Sequence, residues 1–282
     1  MLIYLHDKFI NEKNGHVPVN NRSFRYGDGF FETVKCLNGK IPLWDFHANR
    51  ILGTIAKLKF EVQPYFNTDF IHEHIGTLVE RNQHKKCARV RITIYRGEGG
   101  IYDAINQRPH LLIQSWPLNP QHNLLNENGL VLGVYPDGFK AADAFANLKT
   151  NNYLLYAMAA LHAKTSHWND AVVLNHRGNI ADTTIANLWI IKNGLIKTPS
   201  LAEGGVGGTM RAYLLGQLSS MGFQIEEGTV SLVELAVADE VFLTNAIYGL
   251  RWVGSFGDTT YSNRIVSEIF SKTVQPLWKA TI

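Results

Sequence analysis

Hydrophobic spacing along the chain switches repeatedly between the period of a strand and that of a helix, with turn residues at the switches. Residues 30–37 are apolar or β-branched up to Asn38-Gly39, and 41–44 follow, which predicts two strands joined by a two-residue turn. Asp45 is placed to cap a helix reaching Phe60, with Phe46, Ile51, Leu52, Ile55 and Leu58 at helical spacing and Arg50 within it. A second helix is predicted over 69–80. Over 88–95, Val90, Ile92 and Ile94 alternate with Arg89, Arg91 and Thr93, the pattern of a half-buried strand. A glycine-rich turn over 96–101 closes it, and 111–114 is another strand.

The stretch 116–129 is polar and rich in Pro and Asn, which predicts a linker. We therefore expect an N-terminal lobe over 1–118, a linker over 119–128 and a C-terminal lobe over 129–282. In the second lobe, 130–135 reads as a strand. A helix is predicted over 151–168, with an apolar face that includes Leu154, Met158 and Leu161. A strand at 171–174, a turn at Arg177-Gly178 and a hairpin of 187–191 with 195–198 across Asn193-Gly194 follow. Gly204 to Gly208 open a helix over 209–221. Strands at 240–244 and 250–253 and a closing helix near 265–279 complete the chain. Strands and helices mix without regular βαβ alternation, so the fold class is α+β, in two domains with largely antiparallel sheets.

Composition narrows the function. A net charge of +3 spread over 282 residues, with no long basic run, implies no nucleic-acid partner. Two cysteines, Cys36 and Cys87, are too few for a metal quartet or a disulfide framework and fit a reducing compartment. The histidines form no HxxxH or HxxEH pattern, so no metal site is expected. The N-terminus lacks a basic segment followed by an apolar one, and nowhere do eighteen apolar residues run together; the expectation is a cytoplasmic chain with no membrane partner.

Several residues are candidates for chemistry, each with an ordinary alternative. In GGVGGTMR the glycines let backbone N–H groups at a helix start approach an anion, although the run equally suits a flexible loop with a glycine cap. Arg50 can pair bidentately with a phosphate or be a solvated helix arginine. Lys149 is by type a surface lysine, and Asp182 sits in a Thr-rich stretch where an Asx turn or a cap is natural. Phe24, Tyr26, Phe30 and Phe31 around Gly27-Asp28-Gly29 can wall a flat ligand or fill a core.

Their order along the chain resembles the class IV aminotransferase family, the fold type IV pyridoxal-phosphate (PLP) enzymes. That family includes D-amino acid and branched-chain aminotransferases and aminodeoxychorismate lyase. RSFRYGDGFFETVK is similar to the family's R-x-x-x-x-G-D-G-x-F/Y-E segment, and HANR places Arg50 at the phosphate-binding arginine. LKTNNYLL puts Lys149 at the Schiff-base lysine, and GNIADTTIANLWII puts Asp182 and Asn187 at the E-x-x-x-x-N block. GGTMR resembles the phosphate cup, implying cofactor contacts at Gly208, Thr209 and Met210, and LTNAIYGLRWVG matches the T-N/S segment at Thr244 and Asn245. The resemblance implies PLP as cofactor, Lys149 as both anchor and base, and Phe31, Thr33, Tyr153 and Arg96 as residues toward a small amino substrate. It also implies a homodimer in which the loop from Arg96 to Asp103 serves the partner's site.

Two positions depart from the family pattern: Asp182 stands where Glu is usual, one methylene shorter, and Met210 stands where many members have Thr. Substrate markers conflict. The Arg-x-His carboxylate trap of D-amino acid aminotransferases is absent after RG. Asn152 follows Lys149 by three positions rather than the four usual in branched-chain enzymes. Thr33, the Gly-Thr-Met-Arg cup and the RGxGG turn lean toward the lyase, while Ile101 replaces an arginine found in some lyases. Transamination between an amino acid or amine and a 2-oxo acid is the first expectation. Release of pyruvate and 4-aminobenzoate by a lyase is the second, and a PLP-binding homologue without chemistry is the third.

Overall fold

The computed structural model describes residues 1–102 and 107–279. Asp103, at the end of the loop expected to serve a partner, and 280–282, the end of the expected second lobe, lie outside the described residues. Two compact units emerge. The first holds Met1–Pro120 together with Lys149–Asn152; the second holds Gln121–Leu148 and Tyr153–Lys279. The Lys149 segment thus groups with the N-terminal unit, whereas the lobes drawn from sequence placed it with 129–282.

Unit 1 is built from β1 (Leu2–Leu5), β2 (Lys8–Asn11), α1 (Arg22–Tyr26), β3 (Gly29–Leu37), α2 (Trp44–Lys57), α3 (Thr68–Arg81), β4 (Cys87–Arg96) and β5 (Pro109–Pro117). Its sheet runs β2-β1-β5-β4-β3, antiparallel at every pairing. The alternation in β4 sends Val90, Ile92 and Ile94 into the core, where Ile51 and Ile55 of α2 and Ile71, Ile75 and Leu78 of α3 meet them. Arg89 and Arg91 consequently point to the other face.

Two expectations fail here. Beyond Asn38-Gly39 only the single bridge Leu37↔Lys40 forms, and 41–44 is not a strand. Pro42 lacks a ladder donor, and Leu43 takes a left-handed φ of 59° that turns the chain into α2. The N-cap is then Leu43, with no side-chain bond, and Asp45 lies inside the first turn instead of capping it. Strand β5 runs to Pro117, with Trp116 and Pro117 paired to Arg89 and Ala88, and so ends before the stretch 119–128 expected as a linker.

Unit 2 contains β6 (Leu130–Val134), α4 (Leu154–Thr165), β7 (Asp170–Leu174), β8 (Ile180–Thr183), β9 (Asn187–Lys192), β10 (Leu195–Pro199), α5 (Thr209–Ser220), β11 (Ile225–Gly228), α6 (Leu232–Ala236), β12 (Glu240–Asn245), β13 (Gly249–Phe256) and β14 (Thr259–Thr260). It ends with α7 (Arg264–Ile269), a π turn over Phe270–Val274 and α8 (Gln275–Lys279). The sheet order is β11-β10-β9-β12-β13-β6-β7-β8, with β14 on β13. Most pairs are antiparallel; β6 with β7, β6 with β13 and β10 with β11 are parallel. The Asn193-Gly194 turn forms as the sequence requires, with φ of 50° and 81° at its two residues.

Helix α4 buries Tyr156, Ala159 and Ala163, not the face named from sequence: Leu154, Met158 and Leu161 are exposed, Leu154 at 69%. The small alanines let the helix lie close on β7, and their face wins over the bulkier one. Among the described residues, no helix is long and apolar enough to cross a membrane.

Candidate active site

Unit 1 carries the lysine. The segment Lys149–Asn152 runs along β3, with Phe31 N–H donating to Lys149 O and Asn151 N–H to Gly29 O, both at 2.9 Å, and a bridge between Phe30 and Thr150. Gly29 is needed for this approach, since a Cβ there would lie 2.6 Å from the Asn151 side chain and from Ile94 O. The Lys149 Nζ sits 4.8 Å from the centre of the Phe31 ring, and the Arg91 guanidinium lies 3.7 Å from the same ring. Of the aromatic residues near Gly27-Asp28-Gly29, it is thus Phe31 that meets Lys149; Phe30 is in the core, and Phe24 is 76% exposed.

Arg50, on α2, is held by Glu32 of β3. Arg50 Nε donates to Glu32 Oε1 at 2.6 Å and Nη2 to Oε2 at 2.7 Å, while His47 Nδ1, 2.9 Å away, reaches Oε2. Burial by itself would raise the Glu32 pKa, but the Arg50 charge and the hydrogen bonds from His47 and Arg50 outweigh it and hold the carboxyl at about 2. Burial pushes His47 below its ordinary value, opposed by Glu32 and reinforced by the charges of Arg50 and Lys149. His47 is therefore a neutral imidazole. Because an ionised carboxylate only accepts, its proton resides on Nδ1. Thr33 is half-buried and pairs with Arg91 across β3 and β4.

Arg96 is occupied elsewhere. Its nitrogens donate to Asp28 Oδ1 at 2.6 Å, Gln107 Oε1 at 2.6 Å, Lys59 O at 3.1 Å and Leu58 O, and its guanidinium stacks on Phe60. These bonds tie Arg96 to the frame of unit 1 rather than leaving it to a substrate.

Unit 2 carries a buried carboxylate and an open helix start. Asp182, on β8, accepts from Asn187 Nδ2 at 2.9 Å on Oδ1 and from the Val206 N–H at 2.7 Å on Oδ2, with the Tyr156 hydroxyl at 3.4 Å. Burial and then the Asp182 charge push Tyr156 well above its ordinary range, so the hydroxyl stays protonated and donates. Asn187 spends its other amide proton on Val206 O at 2.8 Å and thereby clamps the glycine loop to Asp182. Gly208 fits against that clamp, because a Cβ there would fall 2.0 Å from Asn187 Oδ1. Asn147 fastens the loop from the far side, donating to Leu201 O at 2.8 Å and Gly205 O at 2.6 Å and accepting from Gly207 N–H at 3.0 Å.

No side chain caps α5 at Gly208, and the N–H groups of Thr209 and Met210, both buried residues, meet no protein acceptor among the described residues. Buried backbone donors are rarely left so; at a helix start they suit an anion. The Thr244 hydroxyl accepts from Trp189 Nε1 at 3.0 Å. Asn245 Oδ1 accepts from the N–H groups of Ile247 and Tyr248, forming the turn after β12. Tyr153 packs on Tyr156 with ring centres 4.5 Å apart, and its hydroxyl is 3.4 Å from Thr184 O.

Sequence reasoning passed over His47, Arg91, Asn147, Tyr156 and Val206. His47 and Arg50 are one helical turn apart, which was a readable signal; Val206 acts through its backbone and left none. Among the described residues no cluster of three or more His, Cys, Asp or Glu is arranged to hold a metal.

A buried carboxylate clamped beside an open helix start is an arrangement suited to a ligand that carries an anionic group. Residues 29–256 match the amino-transferase class IV family, and the chain belongs to that family, whose members are PLP-dependent aminotransferases or related lyases. It is similar to the aminodeoxychorismate lyase of Vibrio harveyi, 31% identical over 237 residues that cover 83% of this chain and 85% of that protein. It is also similar to the D-alanine aminotransferase of Listeria innocua, 24% identical over 255 residues covering 87% and 84%. The solved branched-chain amino acid aminotransferase of T.th., with pyridoxamine 5′-phosphate, shares its fold, with a TM-score of 0.86, 20% identity and coverage of 99% of this chain and 94% of that one.

Proposed function

We propose that the chain is a PLP-dependent aminotransferase that moves an amino group between an amino acid or amine and a 2-oxo acid, with Lys149 as anchor and proton carrier. The observation that supports PLP most is the pair of unaccepted N–H groups at Thr209 and Met210, beside a loop held to Asp182. Bound PLP supplies an aldehyde that links to amines and a ring that withdraws electrons from them. Lys149 Nζ would supply the amine for that link and, when free, would hold the proton that moves to or from the substrate.

By the family resemblance, Arg50 in unit 1 would be a phosphate partner, and in unit 2 the Thr209 and Met210 amides would be others, with Thr244 and Asn245 as further cofactor contacts. Asp182, whose carboxyl accepts from Asn187 Nδ2 and the Val206 N–H, would be the partner of the ring nitrogen. Phe31, Thr33 and Tyr153 face the substrate. The T.th. branched-chain enzyme was solved with pyridoxamine 5′-phosphate, which supports the same cofactor here. A homodimer in a reducing cytoplasm completes the reading, consistent with the free, buried Cys36 and Cys87.

A broad panel of amino donors and 2-oxo acids given to the holo-protein tests this. Exchange of amino groups is expected, and turnover with none of them would sink the reading. The lyase is the second reading, favoured by the 31% identity to the Vibrio harveyi lyase. Pyruvate formed from aminodeoxychorismate without any acceptor would select it.

A further inference from the structure

The proposed function leaves two buried side chains of unit 1 unused. Glu32 and His47 are almost fully enclosed, and every hydrogen bond described for them runs toward Arg50 or between the two. An arginine at a helix surface samples many rotamers, and ordering it on ligand binding costs entropy. Here two of its three nitrogens are engaged by one carboxylate, which fixes the plane and direction of the guanidinium beforehand. The carboxylate is fixed in turn: β3 carries it one residue from Phe31, and His47 Nδ1, one helical turn before Arg50, grips Oε2.

We infer that Glu32 and His47 are positioning residues for the cofactor's phosphate: they hold Arg50 in its binding geometry and touch neither substrate nor cofactor themselves. This rests on the role proposed for Arg50. Because Glu32 offsets much of the Arg50 charge, the grip works through placement more than through net attraction, and the pair serves only a ligand that carries the phosphate.

The test compares two ligands on the full chain: PLP, and pyridoxal, which has the same ring and aldehyde without the phosphate. Glu32→Gln is expected to weaken PLP binding on the order of 10-fold to 100-fold, as for loss of one or two charge-assisted hydrogen bonds, and to change pyridoxal binding by less than about 2-fold. His47→Asn, which keeps a donor near the Nδ1 position, retains PLP affinity, and His47→Leu loses it in part. Equal weakening of both ligands by Glu32→Gln would mean a general structural role and overturn the inference. So would unchanged PLP binding in Glu32→Gln beside a weakened Arg50→Ala, an outcome that leaves the role of Arg50 intact. If Arg50→Ala binds PLP like the parent, the Arg50 assignment falls and the inference with it. Glu32→Asp keeps the charge but is too short for the double contact, and it runs the same comparison should Glu32→Gln not fold.

Discussion

On the proposed function, unit 1 and unit 2 prepare for an anion by opposite means. In unit 1 the donor is a side chain, Arg50, and a second layer of side chains, Glu32 and His47, removes its freedom. In unit 2 the donors are backbone N–H groups of α5, already rigid, and side chains such as Asn187 and Asn147 act only on the loop that leads into them. A flexible donor needs a positioning shell, whereas a backbone donor needs space, which is why glycine, not another polar residue, stands at Gly208.

The sharpest way to break this comparison is at the lysine, which belongs to neither device. Lys149→Ala is expected to lower turnover on the order of 10³-fold or more, and borohydride reduction followed by peptide mapping should lose its label. A label that persists on another lysine would remove Lys149 from the reading. Next, Asp182→Asn turns an acceptor into a group that must present an amide to the Val206 N–H or to Asn187. A loss of about 2 kcal/mol in stability is expected, read by chemical denaturation, with slower turnover.

Gly208→Ala probes the space itself. Its Cβ would collide with an Asn187 side chain already held by two bonds, so overpacking should cost about 1–2 kcal/mol and reduce the PLP-bound fraction, measured by absorbance. An unchanged melting temperature and full loading would show that the clamp yields.

The smallest effect is in pH. His47 and Glu32 both have folded-state values below their ordinary ones, so the unfolded chain takes up protons first on acidification. Their contribution to stability is complete above about 6.5, the ordinary histidine value. It declines as His47 is left neutral in the fold below that pH, and again from about 4.5 down to about 2 as Glu32 remains ionised. Denaturation across this range should show the upper part of the decline reduced in His47→Asn and the lower part reduced in Glu32→Gln. Parallel curves for parent and variants would contradict it.

Much of the architecture could be read from residues, where pattern and turn chemistry agree. The alternation over β4 and the Asn193-Gly194 hairpin are examples, each carrying one unambiguous period and a matching turn. The β1–β2 hairpin escaped because its turn is His6-Asp7, two residues that take left-handed φ without advertising it as Asn-Gly does. The face of α4 was misjudged because alanines and leucines surround the helix, and tertiary packing had to choose between them. For the candidate site, the motif order named Lys149, Arg50 and the α5 start. It could not supply Val206, whose backbone acts regardless of side chain, or show that Arg96 is spent on Asp28 and the carbonyls of Leu58 and Lys59.

The short run Lys149–Asn152 also shields an edge. β3 ends the unit 1 sheet, and an uncovered edge strand offers free pairing groups to any other chain. By taking up the Phe31 N–H and Gly29 O, the lysine segment closes part of that edge. A fragment ending at Pro120 would keep every strand of this sheet but lose its cover, so dissecting the chain at the linker should produce a self-associating piece. Adding the tetrapeptide back through a short glycine linker should restore a soluble one.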